Sequence, residues 1–204
     1  MLVLTIEYGN EHGVLFSRNG HTVHNLNHIN QHKPRVDHYD LILLVGGTDV
    51  DPALYGEEPH PKTYATPDQD ALVWRVLDAS TAAGIPVVGI CKGAQQLCVY
   101  DGGKLRQHVV GHEGSHAIID EETGVIMHTR GNHHQMMHVT GCASAKVLAF
   151  ADGVKSGYIL DPEVVYFEKL NALGFQYHPE WMDEQSEGVK YFYNTIKKYL
   201  NLEV

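Results

Sequence analysis

The sequence predicts an α/β fold, with a mostly parallel central sheet and an antiparallel extension. In the first half of the chain, short apolar runs alternate with helix-like patterns. From residue 117 to residue 176, short strand-like runs dominate. Alternating strands and helices favour a parallel sheet, whereas consecutive short strands favour antiparallel pairing. A glycine-flanked turn at residues 89–93 joins the central apolar run to a helix-compatible stretch.

Buried strands are predicted where short apolar runs are bounded by turn residues. In the first half these are residues 2–8, 39–45 and 87–90. Residues 9–37 are polar and rich in His, Asn and Gly, which indicates a loop with room for a short helix. Residues 48–67 contain four prolines and are predicted to form a long loop.

Three helices are predicted. The first begins at a capping box, Thr66-Pro-Asp-Gln69, and ends at Gly84 and Pro86. The second covers residues 92–100 after the glycine-flanked turn. The third lies near residues 186–200, where apolar side chains recur at helical spacing.

The second half of the chain is predicted to be rich in strands. Its strand-like runs are residues 124–127, 146–150, 157–160, 164–167 and 172–175.

Length and charge restrict the possible functions. With 204 residues the chain fits a single domain, 1–204, that can bury a sizeable core. A net charge of −10 argues against a nucleic-acid surface, which requires clustered Lys and Arg. No apolar run is long enough for a membrane helix.

The N-terminal residues lack a basic start and a cleavage site, so they are predicted to be a strand and not a signal peptide. The three cysteines, Cys91, Cys98 and Cys142, are scattered and odd in number. That pattern suits a reducing compartment better than a disulfide framework, so a cytoplasmic location is expected.

Cys91 is the candidate nucleophile. Residues 89–93 read Gly-Ile-Cys-Lys-Gly, a nucleophile elbow with Cys in place of Ser. Small residues are needed because the nucleophile lies on a sharp strand-to-helix turn. The helix N-terminus is also expected to favour the thiolate. Cys98 and Cys142 are expected to be structural.

His178 and Glu180 are the candidate base and orienting carboxylate. A cysteine nucleophile needs a His to accept its proton and a third group to orient that His. Pro179 disfavours helix at His178, and in an extended segment residues i and i+2 share a face. The carboxylate is therefore expected to approach the imidazole locally.

Together these motifs resemble class I glutamine amidotransferase domains, and most closely the γ-glutamyl hydrolase branch, which is peptidase C26-like. Residues 89–95 and 176–181 look like the two hallmark motifs of that family. Further matches are the segment 46–55, which begins Gly-Gly-Thr-Asp, the segment 101–108, and His-His-Gln at 133–135. The resemblance covers roughly residues 40–182 and implies a flavodoxin-like three-layer sandwich.

The resemblance also implies an oxyanion hole. Backbone N–H groups of a glycine at the strand end and of the residue after the nucleophile stabilise the tetrahedral intermediate. These groups correspond to Gly46 or Gly47 and to Lys92, although Gly46–Gly47 could also be a plain turn. Substrate contacts are implied for Gln95, His134 and Gln135. An alternative for Gln95 is a surface residue of its helix.

One segment departs from the family pattern. The family usually has Val-Asn-Ser and an aromatic residue before His-His, whereas this chain has Thr-Arg-Gly-Asn at 129–132. Gly131 therefore replaces the Ser that contacts the glutamate. Arg130 is a candidate replacement, because a guanidinium binds a carboxylate in a bidentate manner.

The fifteen histidines raise the question of a metal site. His108, His112 and His116 are four residues apart, but Gly111 and Gly114 would break a helix across them. His133, His134 and His138 form a second group. No carboxylate completes a His-Glu-x-x-His pattern. The sequence therefore predicts no metal and no cofactor.

The expected function is hydrolysis of a small-molecule γ-glutamyl amide through a γ-glutamyl thioester. One alternative is the glutaminase subunit of an amidotransferase, which would supply ammonia to a separate synthase partner. A second alternative is a non-catalytic binding or regulatory domain on the same fold.

Overall fold

The computed structural model describes residues 1–6, 12–26, 35–153 and 160–204. The strands are β1 (Leu2–Ile6), β2 (Thr22–Asn25), β3 (Leu41–Leu44), β4 (Val87–Ile90), β5 (Lys104–Arg106), β6 (Glu113–Asp120), β7 (Ile126–Asn132), β8 (Met136–His138), β9 (Ala145–Asp152), β10 (Pro162–Phe167) and β11 (Ala172–Phe175). The α-helices are α1 (Val14–Ser17), α2 (Pro67–Ala83), α3 (Lys92–Tyr100) and α4 (Glu187–Leu200). Single 3₁₀ turns occur at Pro52–Tyr55, Glu168–Leu170 and Pro179–Trp181.

The main sheet has a parallel half and an antiparallel half. Within the described residues its strand order is β2-β1-β3-β4-β11-β10-β9-β6-β7. The strands from β2 to β11 in this order pair in parallel. The strands from β11 to β7 pair antiparallel. The predicted parallel sheet with an antiparallel extension is confirmed.

Helices cover both faces of the parallel half. On one face, α1 and α4 bury Phe16, Phe192 and Ile196 against the sheet. On the other face, α2 and α3 bury Leu72 and Leu97. Strands covered on both faces read as continuous apolar runs, as β3 and β4 do. The resulting three layers confirm the expected flavodoxin-like sandwich. No helix among the described residues is long and apolar enough to cross a membrane.

The predicted elements agree with the structure best where apolar residues are continuous. The strands at 87–90 and 172–175 and the helix at 92–100 have the predicted bounds. The last helix begins one residue later than predicted, because the Ser186 side chain is its cap and accepts from Val189 N–H. The predicted strand at 157–160 lies mostly outside the described residues.

Four strands were missed because they are short or polar. β2 is an edge strand with alternating partial exposure, and β6 begins with exposed Glu, Gly and Ser. β5 and β8 have three residues each and pair only with each other. None of these segments has the apolar run on which strand prediction depends.

The predicted capping box at α2 is wrong in detail. Thr66 is the residue before the helix, but its side chain makes no capping hydrogen bond to the helix backbone. Its hydroxyl instead accepts from the ammonium of Lys92, 2.9 Å away, and contacts Gln69 Oε1 at 3.0 Å. Lys92 is buried and paired with Asp70. A buried ammonium without enough oxygen partners costs more free energy than a helix end without a side-chain cap, so the Thr66 hydroxyl binds Lys92.

Two glycines allow α3 to pack closely on the sheet. A Cβ on Gly93 would lie 2.5 Å from the Leu44 carbonyl oxygen. A Cβ on Gly89 would lie 2.5 Å from backbone atoms of Gly93. The expectation that side chains at both positions would collide is confirmed, and the collisions are with backbone, which cannot move aside cheaply.

We expect Gly93→Ala to lower the free energy of unfolding. Overpacking costs about 1–3 kcal/mol, which exceeds the gain of up to about 1 kcal/mol from replacing a helical glycine by alanine. Gly47→Ala is the matched control, because its Cβ would make only ordinary contacts at 3.5 Å and beyond. Chemical denaturation of the three proteins measures the difference. Equal stability of the two variants would contradict the packing argument.

Candidate active site

Cys91 lies on the turn between β4 and α3 in a strained backbone conformation. Its φ is 52°, which is rare for a residue with a side chain. Its N–H donates to the Phe175 carbonyl at 2.7 Å, so neighbouring strand β11 holds the turn in place. Strain of this kind is found where the surrounding structure fixes a functional group, and here it fixes the thiol.

The thiol of Cys91 is protonated at rest. Burial, and to a smaller extent the negative charge of Glu180, raises its pKa to about 12. The Lys92 N–H at the helix N-terminus makes a hydrogen bond that lowers the pKa, but by less. The helix end favours the thiolate, as the sequence predicts, but desolvation outweighs this effect in the resting protein.

His178 and Glu180 form the expected pair. His178 Nδ1 lies 2.6 Å from Glu180 Oε1. The local geometry differs from the expected extended segment, since Pro179–Trp181 is a 3₁₀ turn that brings the carboxylate back toward the ring. The backbone N–H of His178 donates to the backbone carbonyl of Arg130 at 2.7 Å. The Trp181 ring stacks on the His178 imidazole with a centroid distance of 3.7 Å.

Cys91 and His178 meet at Gly46. A Cβ placed on Gly46 would lie 3.0 Å from His178 Cε1 and 3.7 Å from Cys91 Cβ. Both side chains therefore border the same point at the end of β3. Since Nδ1 of His178 is engaged by Glu180, Nε2 is the ring nitrogen left for the thiol proton.

His12 is a further member of this group that the sequence did not reveal. Its Nε2 lies 3.2 Å from the Gly46 nitrogen and 3.1 Å from Glu180 Oε1. With a proton on Nε2 the ring donates to Glu180, and without one it accepts from the Gly46 N–H. His12 lies in the polar segment before α1, where no motif distinguishes it from the neighbouring histidines.

Glu180 is ionised. Burial alone would raise its pKa, but hydrogen bonds from His12 and His178 and the positive charge on these rings lower it to about 2. The carboxylate can therefore stabilise an imidazolium on His178 without taking its proton.

The backbone N–H groups proposed for the oxyanion hole lie around Cys91. Gly47 lies beside Lys92, with 3.5 Å between a Cβ built on Gly47 and Lys92 Cδ. The Lys92 side chain points away from the thiol and is paired with Asp70 at 2.9 Å, so only its N–H faces Cys91. The Gly46 N–H is within reach of His12.

The predicted substrate contacts Gln95 and Gln135 belong to a buried network. Gln95 Nε2 donates to the Gln135 carbonyl at 3.0 Å and to Gln176 Oε1 at 3.3 Å. Gln135 Oε1 accepts from the Val50 N–H at 3.2 Å. Neither side chain is exposed, so Gln95 is not the surface residue of the alternative interpretation.

His134 is about one third exposed and holds Asp49. Its Nε2 lies 3.1 Å from both carboxylate oxygens. This contact connects the His-His-Gln segment to the loop after β3. His134 therefore lies on the same side of the sheet as Gly47.

Arg130 lines an open cleft of about 590 Å³ together with Gly114, Gly131, Asn132 and Trp181. Since Trp181 stacks on His178, this cleft borders the imidazole. The guanidinium makes no ion pair within the described part of the chain. It is therefore free to bind a carboxylate in the cleft.

In the part of the chain that the structure describes, two groups of histidine and glutamate side chains are close enough to hold a metal ion. One is His12, His178 and Glu180, described above, and the other is His112, His116 and Glu163. Cys98, on α3, and Cys142 belong to neither group. Their sulfur atoms are 3.8 Å apart.

The chain is similar to glutamine amidotransferase-like proteins. It is 32% identical to Rv2859c of Mycobacterium tuberculosis over 165 residues, which cover 71% of this chain and 52% of that protein. It is 31% identical to YvdE of Lactococcus lactis over 162 residues, 69% of this chain and 66% of that protein. The small chain of carbamoyl phosphate synthase from Stutzerimonas stutzeri is 32% identical over 126 residues, 60% of this chain and 29% of that protein. The chain thus spans from about half to about two thirds of the first two relatives.

Solved structures share the fold at low sequence identity. PurLQS from Thermotoga maritima superimposes with a TM-score of 0.69 at 19% identity over 98% of both chains. A glutamine amidotransferase from the same organism superimposes with a TM-score of 0.65 at 15% identity, over 98% of this chain and 89% of that one. The sequence profile of the Peptidase C26 family matches residues 22–157. This chain therefore belongs to the Peptidase C26 family, and its fold is that of the class I glutamine amidotransferases.

Proposed function

We propose that the protein is a cysteine hydrolase that cleaves γ-glutamyl amides and releases glutamate. The observation that carries this proposal is the meeting of Cys91, on its strained turn, with the His178–Glu180 pair at Gly46. A thiol, an imidazole and an orienting carboxylate in this order form the arrangement used in covalent acyl transfer.

The first step combines proton transfer from Cys91 to His178 with attack of the sulfur on the γ-carbonyl. Because burial holds the thiol pKa at about 12, transfer and attack on the γ-carbonyl occur together when the substrate is bound. Negative charge then develops on the carbonyl oxygen, and the N–H groups of Gly47 and Lys92 stabilise it.

The tetrahedral intermediate collapses to a γ-glutamyl thioester. The C–N bond breaks, and His178 delivers its proton to the leaving amine. Water then attacks the thioester with His178 as base, which releases glutamate and restores the thiol. Glu180 keeps the imidazole in the productive orientation through both steps.

The amine half of the substrate is proposed to lie toward the loop that follows β3. The glutamate half lies in the cleft beside Trp181, where Arg130 faces its α-carboxylate. Because Gly131 offers no hydroxyl, glutamine alone is bound less well than a conjugate whose larger amine adds contacts with the loop.

A second candidate is a glutaminase subunit that passes ammonia to a synthase partner. The similarity to the small chain of carbamoyl phosphate synthase and to PurLQS supports it. Measuring glutamate release from a panel of γ-glutamyl amines and from glutamine, without any partner, separates the candidates. A clear preference for glutamine, with activity rising in a complex, would favour the glutaminase subunit.

We expect Cys91→Ala to abolish glutamate release without unfolding the protein. The alanine removes the nucleophile and keeps the Cβ that packs at the turn. A glutamine-mimicking electrophile, followed by peptide mass analysis, should label Cys91 and not Cys98 or Cys142. Labelling of Cys98 in a folded, active protein would contradict the assignment.

His178→Ala should lower kcat/KM by about 10²–10⁴-fold, the contribution typical of general acid–base catalysis. Glu180→Gln should lose less, because the imidazole remains present. His138→Ala, an exposed histidine on β8, is the control and should keep wild-type activity. If Glu180→Gln were the more damaging change, the roles proposed for these two residues would be wrong.

Arg130→Ala should raise KM by about 10- to 100-fold for substrates with a free α-carboxylate, which corresponds to the loss of a charged hydrogen-bonded pair. The same substrate esterified at the α-carboxylate is the matched control and should show no change in KM. Steady-state kinetics on both substrates provide the comparison. An equal rise for acid and ester would show that Arg130 acts on the cleft and not on the carboxylate.

A further inference from the structure

A second cluster of histidines surrounds a buried glutamate outside the catalytic group. His112 precedes β6, His116 lies on β6, His133 follows β7, and Glu163 lies on β10. Glu163 and His112 are 0% exposed, His133 is 7% exposed and His116 is 9% exposed. These four residues, named here the His₃Glu cluster, come from three separate strands or strand ends.

The ligand atoms of the cluster are spaced as around a metal ion. Glu163 Oε1 lies 3.2 Å from His112 Nδ1 and 3.0 Å from His116 Nε2. Bonds of about 2.0–2.1 Å in a tetrahedron place neighbouring ligand atoms about 3.3 Å apart. His112, His116 and Glu163 already have ligand atoms within 4.8 Å of one another. His133 Nε2 is 4.0 Å from Glu163 Oε1, so this ring would have to move toward the other three ligands to complete the sphere.

Several atoms of the cluster have no partner within the described residues. These are His133 Nε2, Glu163 Oε2 and His116 Nδ1, and all three are buried. His133 Nδ1 donates to the Gln135 carbonyl at 3.0 Å, so in the neutral ring Nε2 carries the lone pair. That lone pair faces a carboxylate oxygen with no proton between them, which is unfavourable unless a cation lies there.

The surroundings of the cluster resemble the outer sphere of a metal site. His112 Nε2 lies 3.0 Å from Asp161 Oδ2, and Asp161 is paired with Arg106 at 2.6 Å. A carboxylate on the far nitrogen fixes the ring of a metal-binding histidine. Such a partner also leaves Nδ1 of His112 directed at the centre of the cluster.

The cluster accounts for the unusual glycine at position 131. A Cβ there would lie 2.8 Å from the His112 carbonyl oxygen, 2.9 Å from His116 Cε1 and 3.3 Å from His133 Cδ2. The serine that the family usually has at this position would therefore collide with the imidazoles. A side chain at position 131 and the imidazoles of the His₃Glu cluster would compete for the same space, so the cluster requires glycine at this position.

We propose that the His₃Glu cluster is a binding site for a divalent transition-metal ion, with Zn²⁺ as the ion of best fit. The ligands are His112 Nδ1, His116 Nε2, His133 Nε2 and Glu163 Oε1. Imidazole nitrogens and a carboxylate are typical zinc ligands, and a closed set of four protein ligands is typical of a structural site. This proposal departs from the sequence-based expectation of no metal.

The ion would brace the segment that reaches the substrate cleft. His133 directly precedes His134 and Gln135, and Gly131 and Asn132 line the cleft. Metal coordination would fix this segment relative to β10. The ion has no open position for water and takes no part in the hydrolysis itself.

The test is zinc titration of chelator-treated, full-length protein against a competing chromophoric chelator. Wild type is expected to bind one tight equivalent and to gain thermal stability with it. Glu163→Gln and His116→Ala should weaken that equivalent by more than about 100-fold, beyond the 10- to 100-fold loss typical of outer-sphere partners. Asp161→Asn should fall within that smaller range.

Two control variants separate this site from other histidines. His128→Ala, exposed on neighbouring β7, should bind zinc as wild type does. His178→Ala removes the other His–Glu group and should keep the tight equivalent. Absence of a tight equivalent in folded wild-type protein would overturn the proposal, and so would its loss in His178→Ala or its full retention in His116→Ala. Circular dichroism establishes that each variant is folded, and the wild-type titration decides the case if a variant is not.

Discussion

The close approach of α3 to the sheet is the constraint on which the rest of the site depends. Gly93 lies against the Leu44 carbonyl and Gly89 lies against Gly93, at distances that no side chain could occupy. This contact forces Cys91 into a φ of 52° and directs it to the end of β3. The same turn brings the Lys92 N–H to the thiol. The positions of the proposed nucleophile and of the proposed oxyanion donor therefore follow from one packing contact.

Burial sets the chemistry of the proposed reaction. It raises the pKa of the Cys91 thiol and so disfavours the thiolate, which is the reactive form of cysteine, in the resting protein. Glu180 stays ionised although it is buried. Hydrogen bonds from His12 and His178, and the positive charge on these rings, lower its pKa. The fixed negative charge opposes a thiolate and favours an imidazolium, which is the state that the proposed mechanism requires of His178 during attack.

Among the described residues, two clusters of histidine and glutamate lie on either side of β7, and we propose different roles for them. The cluster proposed to be catalytic is partly reachable through the cleft beside Trp181. The His₃Glu cluster is closed and lies under Gly131. Position 131 borders both clusters, and glycine there leaves space for the imidazoles of the His₃Glu cluster. In the proposed function, Arg130 then takes over recognition of the substrate carboxylate from the serine that the family usually has at position 131.

The sequence by itself determined the parallel core, the helix at 92–100, the elbow at Cys91 and the pairing of His178 with Glu180. Each depends on an apolar run or on residues within four positions of one another, so local patterns suffice. Tertiary structure alone decided the role of His12, the assembly of the His₃Glu cluster and the protonated state of Cys91. The cluster unites residues up to 51 positions apart, because β6 extends past the end of β9 and faces β10. Sheet order and desolvation depend on the whole chain, and no short pattern encodes them.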